Sequence, residues 1–304
     1  MIKSHITLCM FTFGVSQKNI KLMKKIGFNA SFIIACAFAL LLNIEGWAQG
    51  KDLRPLFDKY GITIKNQGGR GTCSVFAVTG LIEFERANVL NDATPLSVEY
   101  LNWAANQVEG VAADGSFFHY AIDGMSKYGI CADDYMPYAT RFSEKNEPSE
   151  AARQEAAARK TGKQVWIKQW DPNTGITAEQ LQQIQQLLDK NHPVVIGFQW
   201  PKQDNGFSKH GELPIPAREE VFDGHSVLIV GYQTDTTKPG GGYLIFKNSY
   251  GESWGDKGYG YIPYQYAMLY ANDALALLEV DKNELTKEEI THKNGSYDSR
   301  EIGN

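Results

Sequence analysis

The sequence has little of several features that mark other classes of protein. Only four cysteines occur in 304 residues, which is too few for a small disulfide-stabilised scaffold. The balance of 30 Lys and Arg against 35 Asp and Glu gives a formal net charge of −5, whereas nucleic-acid binding needs clustered basic residues. The phosphate-loop pattern GxxxxGK[ST] is absent. The 43% of hydrophobic and 21% of charged residues are typical of a globular protein and exclude a largely disordered or collagen-like chain.

The chain also lacks a hydrophobic run of membrane-spanning length. Its most apolar stretch, residues 33–42 (IIACAFALLL), is shorter than the roughly 20 residues that a bilayer requires. A basic Met-Lys-Lys segment beginning at Met23 precedes it, and the segment Gly-Trp-Ala-Gln, with small residues at 46 and 48, follows it. This is the pattern of a secretory signal peptide. We therefore predict a signal peptide over residues 1–48 with its true start at Met23, and an exported protein without a membrane span.

Two other interpretations of this segment stay open. It could be a signal anchor that stays attached, or Cys36 could be the lipid-modified first residue of a lipoprotein, although the apolar run continues past Cys36. Removal of residues 1–48 would leave two cysteines, Cys73 and Cys131. A disulfide between them is possible in an exported protein, but a free Cys73 is the better interpretation.

The hydrophobic pattern changes along the chain. Apolar residues at helical spacing predict helices over residues 73–88, 97–106, 117–128, 149–160 and 178–190. Thr72 is the predicted N-cap of the first helix, and the Ala-rich fourth helix is predicted to lie on the solvated surface. Short apolar runs then predict strands over residues 193–199, 225–232, 242–248 and 258–264. Helices followed by strands indicate an α+β protein of two lobes. The polar residues 281–304 are predicted to form a disordered tail.

A glycine-rich segment leads to a cysteine at the start of the first predicted helix. Residues 67–72 (QGGRGT) precede Cys73. The positive end of a helix lowers a thiol pKa, and the thiolate is the nucleophile. The alternative is a buried, inert cysteine, which is where most free cysteines belong.

Two further segments favour the catalytic interpretation. His225 opens one predicted strand, and Asn248 closes another. An imidazole beside a thiol can take its proton and later protonate a leaving amine. An Asn amide can hold that imidazole in one tautomer. Together with Cys73, these residues have the chemistry of a nucleophilic triad.

Five segments, in this order along the chain, resemble those of the papain-like (cathepsin-type) cysteine peptidases. They are IKNQGGRGTC (64–73), PLS (95–97), DGSF (114–117), GHSVLIVGY (224–232) and FKNSYGESWGDKGYGYI (246–262). The resemblance extends from about Asp52 to about Ala274, nearly the whole chain after the predicted signal peptide.

The resemblance implies a papain-like two-lobe fold over residues 49–280. A helical left lobe and an antiparallel, β-barrel-like right lobe would hold the active site in the cleft between them. Cys73 would be the nucleophile that forms a thioester acyl-enzyme, His225 its acid/base partner and Asn248 the residue that orients the ring. The Gln67 side chain and the Cys73 backbone N–H would form the oxyanion hole. The implied substrate-binding residues are Gly115, Ser116, Phe117, Gly197, Ser226, Tyr250 and Trp254. No cofactor and no metal is implied.

The chain departs from the family pattern at several positions. The family has a cysteine three residues before the nucleophile, bonded to a cysteine in the loop before its Gly-Gly pair. Here these positions hold Arg70 and a residue at 112–113. Ser74 and Tyr250 stand where the family has Trp, and Ser116 replaces the second Gly of the pair. These changes affect specificity and rate, but none removes a reacting group.

The sequence therefore predicts an exported cysteine endopeptidase that acts on peptides or proteins. Alternatives are an exopeptidase, another thiol acyl-transfer enzyme such as an amidase or transglutaminase, and a catalytically silent peptide-binding module on the same fold. Residues 141–165, residues 202–220 and the tail are the segments that could block one end of the cleft. Because few residues separate the predicted cleavage site from Asp52, we expect the family's long prosegment to be absent. Activity would then be controlled elsewhere or by a separate protein inhibitor.

The remaining histidines and cysteine are given structural roles. His119 is predicted to pack among aromatic side chains, and His192 to lie at a helix end where a cation interacts with the dipole. Cys131 is predicted to be a half-buried thiol. Because no two histidines show metal-ligand spacing, no metal site is predicted.

Overall fold

The computed structural model describes residues 50–160 and 163–278. The predicted signal peptide and the predicted tail lie outside these residues. The eight helices of the described part are α1 (Arg54–Tyr60), α2 (Cys73–Leu90), α3 (Val98–Glu109), α4 (Phe118–Tyr128), α5 (Glu150–Ala156), α6 (Ala178–Asp189), α7 (Phe207–His210) and α8 (Tyr264–Tyr270). Its seven strands are β1 (Gly50–Asp52), β2 (Lys163–Lys168), β3 (Val194–Pro201), β4 (Val221–Thr234), β5 (Gly242–Lys247), β6 (Tyr259–Pro263) and β7 (Ala271–Leu278). No described helix is long and apolar enough to cross a membrane.

The strands form one antiparallel sheet in the order β2-β7-β3-β4-β5-β6, with β1 paired to β4. The long β4 pairs with β3 along its first part and with β5 along its last part. The α+β class and the antiparallel sheet of the second lobe are confirmed. Strand β7 was not predicted from the sequence, because its Ala- and Leu-rich composition has no period that separates a buried strand from a helix.

Helix α2 is the element that joins the two lobes. It packs against α3 and α4 on one side and against β3, β4 and β7 on the other. Its residues from Val75 to Ala87 are all buried, as expected of a helix surrounded by protein. At Gly80 a Cβ would lie 3.3 Å from a methyl group of Leu228 in β4, so the small residue lets helix and sheet approach closely. The start of α2, with Cys73, therefore lies at the border of the two lobes.

The fourth sequence helix lies at the surface as predicted, but one of its faces is buried. Ser149 caps α5 by accepting a hydrogen bond from the Ala152 backbone N–H. Ala152 and Ala156 are fully buried against a cluster that includes Trp103 and Cys131. Alanine carries little apolar surface, so its buried face leaves a weak periodic signal, and the short side chains let α5 pack closely on its neighbours.

Candidate active site

Cys73 is the first residue of α2 and is partly exposed. Thr72, the predicted N-cap, makes no side-chain cap bond; its hydroxyl pairs with that of Tyr138 at 2.6 Å. Burial of the sulfur raises the pKa of the Cys73 thiol, while hydrogen bonds from Ser226 and Ser74 act in the opposite direction. The prediction of a lowered thiol pKa was wrong for this arrangement, because desolvation of the thiolate outweighs the stabilisation at the helix start.

His225 is placed by a bulge in β4. In the β3–β4 ladder Phe198 pairs with His225 and Gln199 pairs with residue 223, so Gly224 has no partner. Gly224 has φ = 108°, a conformation that L-residues rarely adopt. Bulges of this kind bend a strand and re-aim the neighbouring side chain. The His225 ring is thereby directed into a buried position, with 2% of the residue exposed.

Asn248 fixes the orientation of the His225 ring. Its Oδ1 lies 2.8 Å from Nε2 of His225 and also accepts the Ser249 backbone N–H at 2.8 Å. Since this oxygen can only accept, Nε2 of His225 carries the hydrogen, and Nδ1 of the neutral ring holds the free lone pair. This is the tautomer that a general base at Nδ1 requires.

Three aromatic side chains enclose this pair. The Tyr250 ring stacks on the His225 ring with 4.7 Å between centroids, and Trp200 contacts it edge-on at 4.5 Å. Trp254 packs edge-on against Tyr250 at 6.0 Å. Burial lowers the pKa of His225 to about 4, although the hydrogen bond that Nε2 donates to Asn248 opposes the shift. Trp200 was missed by the sequence analysis, because it comes from β3 and belongs to none of the five segments.

The Tyr250 hydroxyl lies 3.1 Å from Nδ1 of His225. Among the described residues no hydrogen bond joins Cys73 to His225, and the groups that bond to the thiol are Ser226 and Ser74. Cys73 and His225, the predicted nucleophile and its acid/base partner, are therefore not hydrogen-bonded to each other in this conformation. Cys73, His225 and Tyr250 nevertheless lie close together. Ser226, which bonds to the thiol, directly follows His225. Burial raises the pKa of Tyr250 to about 12, and a negative charge on Cys73 raises it further.

Gln67 is held beside the same site. Its backbone N–H donates to the Ser249 carbonyl at 2.8 Å, and its Oε1 accepts the Ser249 hydroxyl at 2.5 Å. Its Nε2 donates to the Arg70 carbonyl at 2.7 Å. These bonds leave the second Nε2 hydrogen of the amide available to a further acceptor.

The predicted substrate loop lies against the segment that precedes the cysteine. Gly115 has φ = 76°, and a Cβ there would lie 2.4 Å from the Gly71 carbonyl oxygen, so the approach requires glycine. The Ser116 backbone N–H donates to Oγ of Ser74 at 3.1 Å, and its hydroxyl donates to Glu109 at 2.8 Å. Ser74, noted in the sequence only as a departure, thus ties the two loops together.

The remaining predicted substrate residues lie in two groups. Phe117 is 41% exposed and contacts Trp170, itself 46% exposed, with 5.6 Å between ring centroids. Gly197 pairs with Ser226 across β3 and β4. The Gly197 backbone N–H donates to Oδ1 of Asp273 at 3.1 Å. Trp170 and Asp273 were missed, because pairing of β7 with β2 and β3 brings them in from distant parts of the sequence.

The histidine and cysteine side chains outside this site contribute to packing and to ion pairing. His119 stacks among Phe117, Tyr120 and Trp166, as expected. Nδ1 of His192 lies 3.0 Å from a Glu85 carboxylate oxygen, a partner that the helix-end prediction did not include. Cys131 is fully buried rather than half-buried, and burial raises its thiol pKa to about 12. In residues 50–160 and 163–278 both cysteines are free, and no three His, Cys, Asp or Glu side chains converge on a metal position.

Comparison with known proteins gives a family match, curated relatives and solved structures of similar fold. The family model described as papain family cysteine protease matches residues 50–274. Cathepsin J of Mus musculus is 28% identical over 202 residues, 66% of this chain and 56% of that protein. A cathepsin L-like protein of Caenorhabditis elegans is 26% identical over 197 residues, 64% of this chain and 54% of its own length. The chain thus spans a little over half the length of these curated relatives. Xylellain, a cysteine protease from Xylella fastidiosa, shares the fold with a TM-score of 0.64 at 22% identity, covering 78% of this chain and 88% of that one.

Proposed function

The chain belongs to the papain family of cysteine proteases, and we propose that it is an exported cysteine endopeptidase that hydrolyses peptide bonds through Cys73, His225 and Asn248. The observation that carries this proposal is the hydrogen bond from Nε2 of His225 to Oδ1 of Asn248, beside a cysteine at the start of a helix. It fixes the tautomer in which Nδ1 can accept a proton.

The reaction begins with transfer of the thiol proton of Cys73 to Nδ1 of His225. At neutral pH the buried His225 is neutral and the thiol is protonated, which their shifted pKa values favour. In the resting enzyme the Tyr250 hydroxyl is hydrogen-bonded to Nδ1 of His225, and this bond breaks when the thiol proton is transferred to Nδ1. The thiolate then attacks the peptide carbonyl, and His225 passes the proton to the leaving amine. Water hydrolyses the thioester, with His225 as the base.

Gln67 would stabilise the oxyanion of the tetrahedral intermediate. Its side chain is fixed by Ser249 and by the Arg70 carbonyl, so the free Nε2 hydrogen needs no reorganisation during the reaction. The Cys73 backbone N–H at the helix start supplies the second donor. A preorganised donor of this kind contributes about 2.7–4 kcal/mol to transition-state stabilisation.

The substrate would run along the loop that contains Gly115 and Ser116. Phe117 and Trp170 present exposed ring faces beside this loop, which suits an apolar or aromatic side chain. Gly197 and Ser226 would line the neighbouring pocket, with Tyr250 and Trp254 on the leaving-group side. Peptides and proteins are the substrates that the family acts on.

Labelling and cleavage together test the proposal. The purified protein is treated with a thiol-directed epoxide and then assayed on a peptide library, beside Cys73→Ala and the matched variant Cys131→Ala. We expect one adduct and internal peptide cleavage in the wild type and in Cys131→Ala, and neither in Cys73→Ala. Equal labelling of Cys73→Ala would contradict the nucleophile assignment.

The same experiment separates the alternatives. Cleavage confined to one end of the peptides would indicate an exopeptidase, and labelling without any cleavage would indicate another thiol acyl-transfer enzyme or a silent binding module. Export is tested by fractionating cells that express the full chain and sequencing the N-terminus of the product. A product that stays in the cytoplasm with residues 1–48 attached would contradict it.

A further inference from the structure

Arg70 lies three residues before Cys73, yet its side chain is only 4% exposed. The family resemblance implies a disulfide-forming cysteine at this position. Two carboxylates surround the guanidinium instead. Nη1 lies 2.5 Å from Oε2 of Glu99 in α3, and Nη2 lies 2.6 Å from Oδ1 of Asp114. Three elements distant in sequence therefore meet at one buried cation, which we call the Arg70 cluster (Arg70, Glu99 and Asp114).

Every N–H group of the guanidinium has an acceptor. Nε donates to both carboxylate oxygens of Asp114 at 3.0 and 3.2 Å, and Nη1 also donates to the Ala139 carbonyl at 2.7 Å. Nη2 reaches Glu99 as well, at 3.4 Å. The guanidinium carbon lies 4.5 Å from the centroid of the Tyr138 ring, which adds a cation–π contact. Such planar, bidentate pairing is specific to arginine and is lost with lysine.

The cluster is connected to the oxyanion-hole side chain and to the substrate loop. The Arg70 carbonyl accepts Nε2 of Gln67 at 2.7 Å, and the Tyr138 hydroxyl donates to the Gln67 carbonyl at 3.0 Å. On the other side, Asp114 directly precedes Gly115, whose backbone touches that of Gly71. Movement of Arg70 would therefore shift both the Gln67 amide and the substrate loop.

The charges favour this arrangement over a looser one. Burial lowers the pKa of the Arg70 guanidinium, but the hydrogen bonds to Asp114 and Glu99 outweigh this and raise its pKa overall. A buried carboxylate without its partner is strongly destabilising. The cluster thus has one favourable geometry, and the loops that it joins are fixed with it.

We propose that Arg70 is a positioning residue of this protease: with Glu99 and Asp114 it forms a non-covalent link that holds the Gln67 segment against the Gly115–Ser116 loop, in the place of the family's disulfide. The proposal rests on the proposed function, because the two segments that it joins are those that would bind the oxyanion and the substrate. Unlike a disulfide, this link persists in the reducing conditions that keep Cys73 active.

The test compares Arg70→Lys and Asp114→Asn with Asp92→Asn. Asp92 is the matched control, because it also accepts two hydrogen bonds from one arginine, Arg86 (3.1 and 2.7 Å). It lies beyond the far end of the 18-residue helix α2, about 27 Å from Cys73 along the helix axis. Three kinds of measurement are made well below the melting temperature. They are steady-state kinetics on a peptide (kcat and KM), the rate of Cys73 alkylation by iodoacetamide, and hydrogen exchange in residues 67–72 and 113–116.

We expect kcat/KM to fall about 10- to 100-fold in Arg70→Lys and Asp114→Asn, with a lower kcat as well as a higher KM and with hydrogen exchange accelerated in both segments. The alkylation rate should stay within about twofold, since Cys73 and His225 are untouched. Asp92→Asn should leave kcat, KM, the alkylation rate and the hydrogen exchange of the two segments unchanged.

The proposal would be overturned if both cluster variants kept the wild-type kcat/KM and the wild-type hydrogen exchange. It would also be overturned if Asp92→Asn changed kcat/KM and hydrogen exchange as much as they do. Failure of the proposed function is a different result, in which the wild type itself cleaves no peptide. In that case the exchange comparison alone decides whether the Arg70 cluster joins the two loops.

Discussion

The hydroxyl of Tyr250 lies 3.1 Å from Nδ1 of His225, the nitrogen that we propose accepts the thiol proton. The same ring stacks on the imidazole at 4.7 Å. A Trp at this position, as in the family pattern, could not place a hydroxyl there. In this structure Nδ1 of His225 is therefore hydrogen-bonded to a tyrosine that follows Asn248 by two residues, and in the proposed reaction Cys73 has to displace it.

Removing that hydroxyl should make Cys73 more reactive. In Tyr250→Phe the ring still packs on His225, but Nδ1 is free to accept the thiol proton. Loss of one hydrogen bond of about 1 kcal/mol predicts that the alkylation rate of Cys73 at pH 7 rises about fivefold. Tyr60→Phe, which removes a hydroxyl bonded to Asn88 at 3.1 Å, is the control and should leave the rate unchanged. A slower Tyr250→Phe would mean that the hydroxyl assists the transfer.

The pH dependence of kcat/KM should be bell-shaped and broad. The active form carries one proton shared between Cys73 and His225. Its protonation, governed by a His225 pKa lowered to about 4, sets the acid limb, so activity is lost as the pH falls through about 4. Its deprotonation sets the alkaline limb, which the raised pKa of Cys73 places above that of an ordinary cysteine. Measurement of initial rates from pH 3 to 10, corrected for unfolding, checks both limbs. An acid limb near 6.5, the value of an ordinary histidine, would contradict the burial argument.

Gln67→Ala should reduce kcat without unfolding the protein. The variant loses the donor proposed for the oxyanion, so kcat should fall about 10²- to 10³-fold, with KM nearly unchanged. Gln185→Ala, which removes a side-chain bond to Tyr264 of 3.1 Å, should keep its full kcat. A wild-type kcat in Gln67→Ala would contradict the assignment of Gln67 to the oxyanion hole.

Gly129→Ala should destabilise the helical lobe. Gly129 has φ = 82°, and a Cβ there would lie 1.9 Å from the carbonyl oxygen of Ala156 in α5. Backbone strain together with this overlap predicts a loss of about 2–5 kcal/mol in the free energy of unfolding. Gly61→Ala also has a positive φ (68°), but Gly61 lies in the left-handed helical region and a Cβ there meets nothing within 4 Å, so its loss should be only about 1–2 kcal/mol. Thermal or urea unfolding of both variants measures the difference.

Local sequence patterns were enough for the elements that carry the reacting groups. Cys73 and Asn248 lie at the ends of an apolar helix and an apolar strand, and these ends can be seen in the sequence. The partners that modify the chemistry were not predictable in this way. Trp200 reaches His225 only because β3 pairs with β4, and the Tyr250 hydroxyl replaces the expected thiol contact through packing that no motif encodes. The wrong sign for the Cys73 pKa has the same origin, since desolvation depends on neighbours from several segments.

The bulge at Gly224 also makes the direction of the His225 ring depend on the length of β4. Gly224 is the one extra residue between His225, which pairs with Phe198, and residue 223, which pairs with Gln199. Deleting Gly224 would leave these two pairs in an uninterrupted ladder, so the strand would lose the bend that re-aims the imidazole. The length of this short stretch therefore matters to the site as well as its residue types.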